Sequence, residues 1–441
     1  MRLIAALLLL CCASGLAQAP PPGTPNPGAE GRRYLDILLA GKYAELFQAF
    51  TPVMQQSVSE ETLRTKVGPA LRNFGNVRSI GEPKVQLVGG SKLILIPIQF
   101  EKEAINFRIT LDTGGKVAGL FFQPAAQPAA KYERPAYSNP AAFEERAVTF
   151  GLPDLQLPAT LAVPKGAGPF PAVVLVHGSG PNDRDETIGP NKPFRDLAEG
   201  LASKGIAVLR YEKRTRQYAA KAAADKDITV KEEVTEDAEA AAEFLGNQPG
   251  IDPKRVFLLG HSLGGYLAPR IAAEHPKLAG IIVMAGSARP LDEVILDQLN
   301  YLASLPGQPP EAQQQVQRLK GEVEELKKPD APKDLVVLGL RPHYLQALAG
   351  YDPAAAAAKL TIPILVMQGG RDYQTTMESD YRIWSKALEG HKNATLAAFP
   401  SLDHLFRTGE GKAQPADYMQ KEGHVAPEVI DTIAKWIAAH P

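Results

Sequence analysis

One serine in this chain stands in a setting that turns a hydroxyl into a nucleophile. The apolar run Val256-Phe257-Leu258-Leu259 leads into Gly260-His261-Ser262-Leu263-Gly264-Gly265, and a helix-like segment follows through Ala273. G-x-S-x-G between a strand and a helix makes a sharp, strained turn, with the serine at the helix head where N–H groups favour developing negative charge. Strand and helix pass so closely there that a β-carbon at Gly260 or Gly264 is expected to clash. A neutral serine also needs a base within hydrogen-bond reach, and that base an orienting carboxylate. Asp372 follows the apolar run 364–367 and Gly369-Gly370, and His404 follows the run 394–399. Both positions are loops at the carboxyl ends of expected strands, where open α/β sheets carry their sites. The chemistry open to this trio is acyl transfer through a covalent serine intermediate.

Other residues compete for these roles. His424, before the last helix, is the chief rival base, and Asp403 is a rival acid, although sequence neighbours seldom meet in triad geometry. His177 and His261 read as loop residues that orient backbone, and Asp380 as a solvated residue of a helical segment. Asp183, Arg184, Asp185 and Glu186 read as a loop held by its own ion pairs. Arg210, Lys213, Arg214 and Arg216 read as a solvated face, with attraction of an anionic substrate as the other possibility. The oxyanion of acyl transfer requires two backbone donors. One is the Leu263 N–H, and the other comes from the loop His177-Gly178-Ser179-Gly180.

These motifs resemble those of the α/β-hydrolase superfamily over residues 141–441. The resemblance rests on His177-Gly178-Ser179-Gly180-Pro181 with Asp183-Arg184-Asp185, the Ser262 turn, Gly369-Gly370-Arg371-Asp372 and Asp403-His404-Leu405-Phe406. The chain is further similar to bacterial two-domain esterases with a small N-terminal domain. The resemblance implies catalytic Ser262, Asp372 and His404 in that chain order and points to the Ser179 N–H as the second oxyanion donor. It also implies a small-molecule ester substrate, no metal and no organic cofactor. A peptidase or aminopeptidase built on the same machinery is the alternative, with Glu322, Glu324 and Glu325 as candidates to hold a charged terminus. An envelope-binding role of the N-terminal domain, weakly similar to cystatin-like or nuclear-transport-factor-like folds, is the other.

The elements that must position these residues are legible as well. Short apolar runs at 172–176, 206–210, 256–259, 280–284 and 364–367 suit buried parallel strands, and helix-like segments lie between them. Two strands near 145–150 and 157–163 precede them. The fold class expected is α/β, a doubly wound, mostly parallel sheet with a helical cap inserted at about 289–350. Residues 30–123 read as a small α+β domain: Leu35, Leu38, Leu39 and Leu46 recur at helical spacing, Ser59 caps a helix, and Ile105, Phe107, Ile109 and Leu111 alternate as a half-buried strand. Residues 124–140, rich in Pro and Ala, read as a linker.

Residues 1–19 read as a signal peptide cleaved after Ala17 or Ala19, with 20–29 a disordered spacer, which makes the protein secreted or periplasmic. Cys11 and Cys12 leave a lipoprotein alternative, less favoured because Leu10 is large for a lipobox. Both cysteines of the chain lie in that segment, so a mature form lacks thiol chemistry. The net charge of -1 gives no argument for nucleic acid as a partner, and no later apolar run reaches transmembrane length.

Overall fold

The computed structural model describes residues 27–88, 91–124, 132–308 and 312–441. The segment read as a signal peptide, the spacer as far as residue 26 and the Gly89-Gly90 turn lie outside them. Two compact units divide the chain between residues 130 and 131.

In the N-terminal unit, helices Pro27–Leu39, Tyr43–Gln48 and Pro52–Ser57 precede a helical stretch over 60–72. The first begins inside the stretch read as spacer, because Tyr34, Leu35 and Leu38 bury one face of it and that face needs its leading turns. Ser59 caps as expected, its Oγ accepting from Thr62 N at 3.1 Å. The sheet comprises β1 (Val77–Ile80), β2 (Lys84–Val88), β3 (Ser91–Phe100), β4 (Ala104–Leu111) and β5 (Val117–Pro124), all antiparallel. Cross-strand partners Ile94–Ile109, Ile96–Phe107 and Ile98–Ile105 place their side chains on one face, and they are buried with Leu35, Leu46 and Phe50.

The larger unit holds an eight-stranded sheet of β6 (Phe143–Leu152), β7 (Leu155–Pro164), β8 (Phe170–Val176), β9 (Ala207–Tyr211), β10 (Ile251–His261), β11 (Gly280–Met284), β12 (Ile364–Gly369) and β13 (Ala394–Phe399). Their order is β13-β12-β11-β10-β8-β9-β7-β6. Strands β8 to β13 run parallel, and the β6–β7 hairpin is antiparallel at one edge. Val174, Val176, Leu258 and Val283 face one helical layer, whereas Val173, Leu175, Leu259 and Met284 face the other. Burial of both faces explains why these strands read as continuous apolar runs.

The chain leaves β8 toward β9 on one side and returns to β10 on the other, so the strand order reverses at β8. Ligand crevices of open sheets lie at such a point, beyond the carboxyl ends of the strands. Here Gly260 pairs with Val176, which sets the loop after β8 beside the turn after β10.

The inserted segment between β11 and β12 is helical, with helices Leu291–Ser304, Ala312–Lys327 and Pro342–Gln346. Arg289, at its entrance, donates from Nη2 to Asp380 Oδ2 at 3.0 Å. Asp380 also accepts from Ser287 Oγ at 2.7 Å and Thr376 N at 3.0 Å. It is fully buried, not solvated. Its helical turn presents that carboxylate to the cap entrance, a partnership across about ninety residues of sequence that helical spacing does not reveal.

The described part of the stretch read as a linker is also anchored. Tyr132 OH donates to Asp196 Oδ1 at 2.7 Å, Arg134 Nε to Glu199 Oε2 at 2.9 Å, and Tyr137 OH to Val425 O at 2.8 Å. Its Pro and Ala content carried no sign of these polar anchors.

Candidate active site

Ser262 joins β10 to the helix Leu263–Glu274 with φ 53 and ψ −114. A non-glycine residue in that region costs of order 1–3 kcal/mol and persists only where its surroundings impose it. The imposition is visible: Ser262 N donates to Met284 O at 2.9 Å, on the neighbouring strand. A β-carbon at Gly260 would lie 2.1 Å from Gly264 O, and one at Gly264 would lie 2.3 Å from Val176 O. Those contacts are backbone and cannot rotate away, so both glycines are required as the sequence indicated.

Asp372 and His404 meet as expected. His404 Nδ1 lies 2.6 Å from Asp372 Oδ2, and both side chains are buried. Asp372 Oδ2 also accepts from Thr375 Oγ1 at 2.8 Å and Gln368 Nε2 at 3.1 Å, while Oδ1 accepts from Gln374 N at 2.7 Å. Burial pushes this carboxyl upward, but His404 and the surrounding donors outweigh it and hold it below the usual carboxylate range. An ionised Asp372 only accepts, so the proton between them sits on Nδ1 and leaves Nε2 free as a base. The rings of His261 and His404 are 4.8 Å apart, which sets His404 beside the turn carrying Ser262. Among the described residues no hydrogen bond engages the Ser262 hydroxyl; such contacts are often long in free enzymes and tighten with substrate.

The rivals are occupied elsewhere. His424 Nδ1 pairs with Asp196 at 3.1 Å, and Asp403 receives two donors from the Arg407 guanidinium. Sequence reasoning missed Thr375 and Gln368, whose only signal is their closeness to Asp372 in the chain.

The loop after β8 places Gly178 against the serine: a β-carbon there would lie 3.1 Å from Ser262 Cβ. Among the described residues no acceptor takes the Ser179 N–H. Leu263 opens its helix, so its N–H has no intrahelical partner. Beneath this pair lies a buried carboxylate. Glu186 Oε1 accepts from Gly178 N at 2.6 Å, and Oε2 stands 2.9 Å from His261 Nδ1, at ion-pair distance though the N–H is not aimed along the contact. His261 Nε2 in turn meets His404 O at 2.9 Å. His177 bonds to Asp183 O at 3.0 Å, and burial lowers it to about 4, so it stays neutral.

The Glu186–His261 pair is expected to make folding pH-dependent. Burial works against a charged His261, but Glu186 overrides it and holds the imidazole above its ordinary value. Burial likewise works against the Glu186 carboxylate, but His261 holds it below. A raised histidine contributes stability below ~6.5 that is lost as pH rises through its folded value; a lowered carboxyl contributes above ~4.3 and is lost as pH falls. Both charges therefore stabilise fully between those limits. Glu186→Gln should cost about 3 kcal/mol in urea unfolding at about pH 5.5 and clearly less at about pH 9. An equal cost at both pH values would show that the charge on His261 is irrelevant.

The basic cluster after β9 differs from expectation. Arg210, Lys213 and Arg214 are 4%, 2% and 6% exposed, so these three form a buried network and no solvated face, whereas Arg216 stays part-exposed and pairs with Glu212 at 3.1 Å. Arg210 pairs with Asp185 and Glu145, and Arg214 with Asp237 and Glu236, partners drawn from distant segments. The acidic loop is held by ion pairs too, but to residues outside the run rather than its own, with Lys192 on Asp185 at 3.0 Å and Arg184 on Glu212 at 2.8 Å.

Among known families, the alpha/beta hydrolase family matches residues 173–417, more than half of the chain. The chain belongs to the α/β-hydrolase family. Residues 32–120 match a second family described only as a protein of unknown function, DUF3887. Esterase EstD of Thermotoga maritima is 48% identical over 340 residues, covering 77% of this hydrolase and 78% of that protein. Among solved structures, a Pyrococcus furiosus esterase is similar at 16% identity and a TM-score of 0.42, over 68% of this chain and 91% of that one. A puromycin-hydrolyzing peptidase of Mycobacterium tuberculosis is similar at 18% identity and a TM-score of 0.43, over 81% and 47%.

The hydrolase also carries aromatic side chains around its Asp372 loop. Tyr373, next to Asp372, stacks on Tyr301 of the inserted helix with ring centres 5.0 Å apart, and Tyr418 lies 5.9 Å from Tyr373. Tyr301 ties that helix to the loop before the last helices by donating to Ala413 O at 3.0 Å. Among the described residues no group of three or more His, Cys, Asp or Glu is arranged to hold a metal ion, and no helix is long and apolar enough to cross a membrane.

Proposed function

We propose that this protein is a serine esterase that cleaves small-molecule carboxylic esters through Ser262, His404 and Asp372. The observation that carries the reading is the buried 2.6 Å contact between His404 Nδ1 and Asp372 Oδ2 beside the strained turn that presents Ser262. Likeness to a protein named as an esterase supports the same reaction class.

Ser262 Oγ attacks the ester carbonyl while His404 Nε2 takes its proton. Asp372 stabilises the imidazolium and keeps the ring oriented. The carbonyl oxygen becomes an oxyanion between the Ser179 and Leu263 N–H groups. Collapse expels the alcohol, which receives the proton from His404 and leaves Ser262 acylated. Water, deprotonated by His404, then attacks the acyl-enzyme; the acid leaves and the proton returns to Ser262. No step draws on a metal or an organic cofactor.

Amide cleavage would use the same groups, but a peptidase that captures a charged terminus needs acidic side chains turned toward the nucleophile. Glu324 and Glu325 are instead exposed and pair with Lys327 and Lys328, each three residues further along the chain. A panel of p-nitrophenyl esters of graded acyl length, run beside aminoacyl amides, tests the choice. Ester turnover should dominate by orders of magnitude; faster release from the amides would overturn the ester assignment.

A further inference from the structure

The peptide joining Gly178 to Ser179, beside Ser262, is held by two side-chain donors on its carbonyl oxygen. Lys213, two residues beyond β9, is almost fully buried, and its Nζ donates to Gly178 O at 2.8 Å. Asn182 Nδ2 donates to the same oxygen at 3.1 Å and to Ser179 O at 3.1 Å. On the other side of the residue, Gly178 N donates to Glu186 Oε1 at 2.6 Å. The second partner of Lys213 is Glu233, which also accepts from Tyr344 OH at 2.7 Å on the inserted helix Pro342–Gln346.

Burying an ammonium is costly, and its pairing with one carboxylate leaves the remaining donors to be placed. Here a remaining donor goes to a single loop carbonyl. The Gly178 C=O and the Ser179 N–H belong to one planar trans peptide, so they point in opposite directions. Holding the carbonyl from behind fixes the direction of the N–H in front. A positive charge at the carbonyl oxygen also polarises the amide and strengthens its N–H as a donor in a site of low dielectric.

We propose that Lys213, supported by Asn182 and Glu186, is a positioning residue that aims and polarises the Ser179 N–H toward the oxyanion. This rests on the reading of Ser179 as an oxyanion donor in ester hydrolysis. Lys213 touches no reacting atom; it acts through the peptide.

The test compares the intact enzyme with Lys213→Met and with Lys213→Met/Glu233→Gln, the second variant leaving no unpaired buried charge. Four quantities are measured: kcat and KM for p-nitrophenyl acetate, and the affinities of a trifluoromethyl ketone and of the matching secondary alcohol. On the ketone, Ser262 Oγ bonds to the carbonyl carbon, the carbonyl π pair becomes an oxyanion, and the serine proton passes to His404. The alcohol forms no oxyanion. Both variants should lose ~10–10²-fold in kcat and in ketone affinity, with KM and alcohol affinity within about twofold. Unchanged kcat and ketone affinity in the folded double variant would overturn the proposal, as would a parallel loss of all four quantities, which marks a structural role. If the intact enzyme binds the ketone no better than the alcohol, the oxyanion reading beneath the proposal fails instead.

Discussion

Ser262→Ala is expected to abolish ester hydrolysis, with a loss of about 10⁶-fold in kcat, and to remove labelling by a fluorophosphonate. The loss is that large because nucleophile and base work as one unit, so His404→Ala should fall by a similar factor rather than adding to it. The fold should tolerate the change. No hydrogen bond engages the Ser262 hydroxyl among the described residues, and the strained backbone is held by its own N–H on Met284 O and by the glycines around it. Stability within about 0.5 kcal/mol of the parent is therefore anticipated. Urea unfolding beside the labelling assay separates lost chemistry from lost structure. Retained labelling in a folded Ser262→Ala protein would mean that another nucleophile does the work.

Asp372→Asn should lower kcat by about 10⁴-fold with little effect on KM. The direction follows from how the carboxylate is bound. Oδ1 accepts from Gln374 N at 2.7 Å and Thr375 N at 3.2 Å, so an asparagine must put its carbonyl oxygen there. Its amide NH₂ is then forced into the place of Oδ2, 2.6 Å from His404 Nδ1. A donor at that point compels Nδ1 to accept and moves the ring proton to Nε2, where a base must be bare. The Thr375 hydroxyl and the Gln368 amide, which donate to Oδ2 in the parent, can turn to accept, whereas the backbone donors to Oδ1 cannot, so the variant holds the wrong tautomer. A loss of less than tenfold in kcat would show that Asp372 does not orient the base, and Asp403 would then be retested despite its pairing with Arg407.

Local pattern and chemistry coincide at the Ser262 turn. The two required glycines, the strand before and the helix after are all sequence neighbours, so short-range sterics made the turn readable. Asp372 and His404 were readable for a related reason: each follows an apolar run short enough for a buried strand, and a parallel sheet sends such loops to one edge. Asp380 and Lys213 resisted the same reasoning. A charged residue on a helix or after a strand is exposed by default, and only a partner from a remote segment reverses that. Arg289 and Ser287 stand about ninety positions from Asp380 in the chain, and Lys213, after β9, meets Gly178, after the neighbouring β8.

By itself, then, the amino-acid order determined the strand–helix alternation, the turn at Ser262 and the strand-end loops that carry Asp372 and His404, because each depends on local periodicity or on contacts within a few residues. The tertiary structure decided which charges are buried, that Glu186 binds both Gly178 and His261, and that a lysine stands behind the Gly178–Ser179 peptide. Those facts depend on how β8, β9 and β10 lie side by side. Charge burial is a property of what surrounds a residue in space, and one-dimensional spacing carries no measure of it.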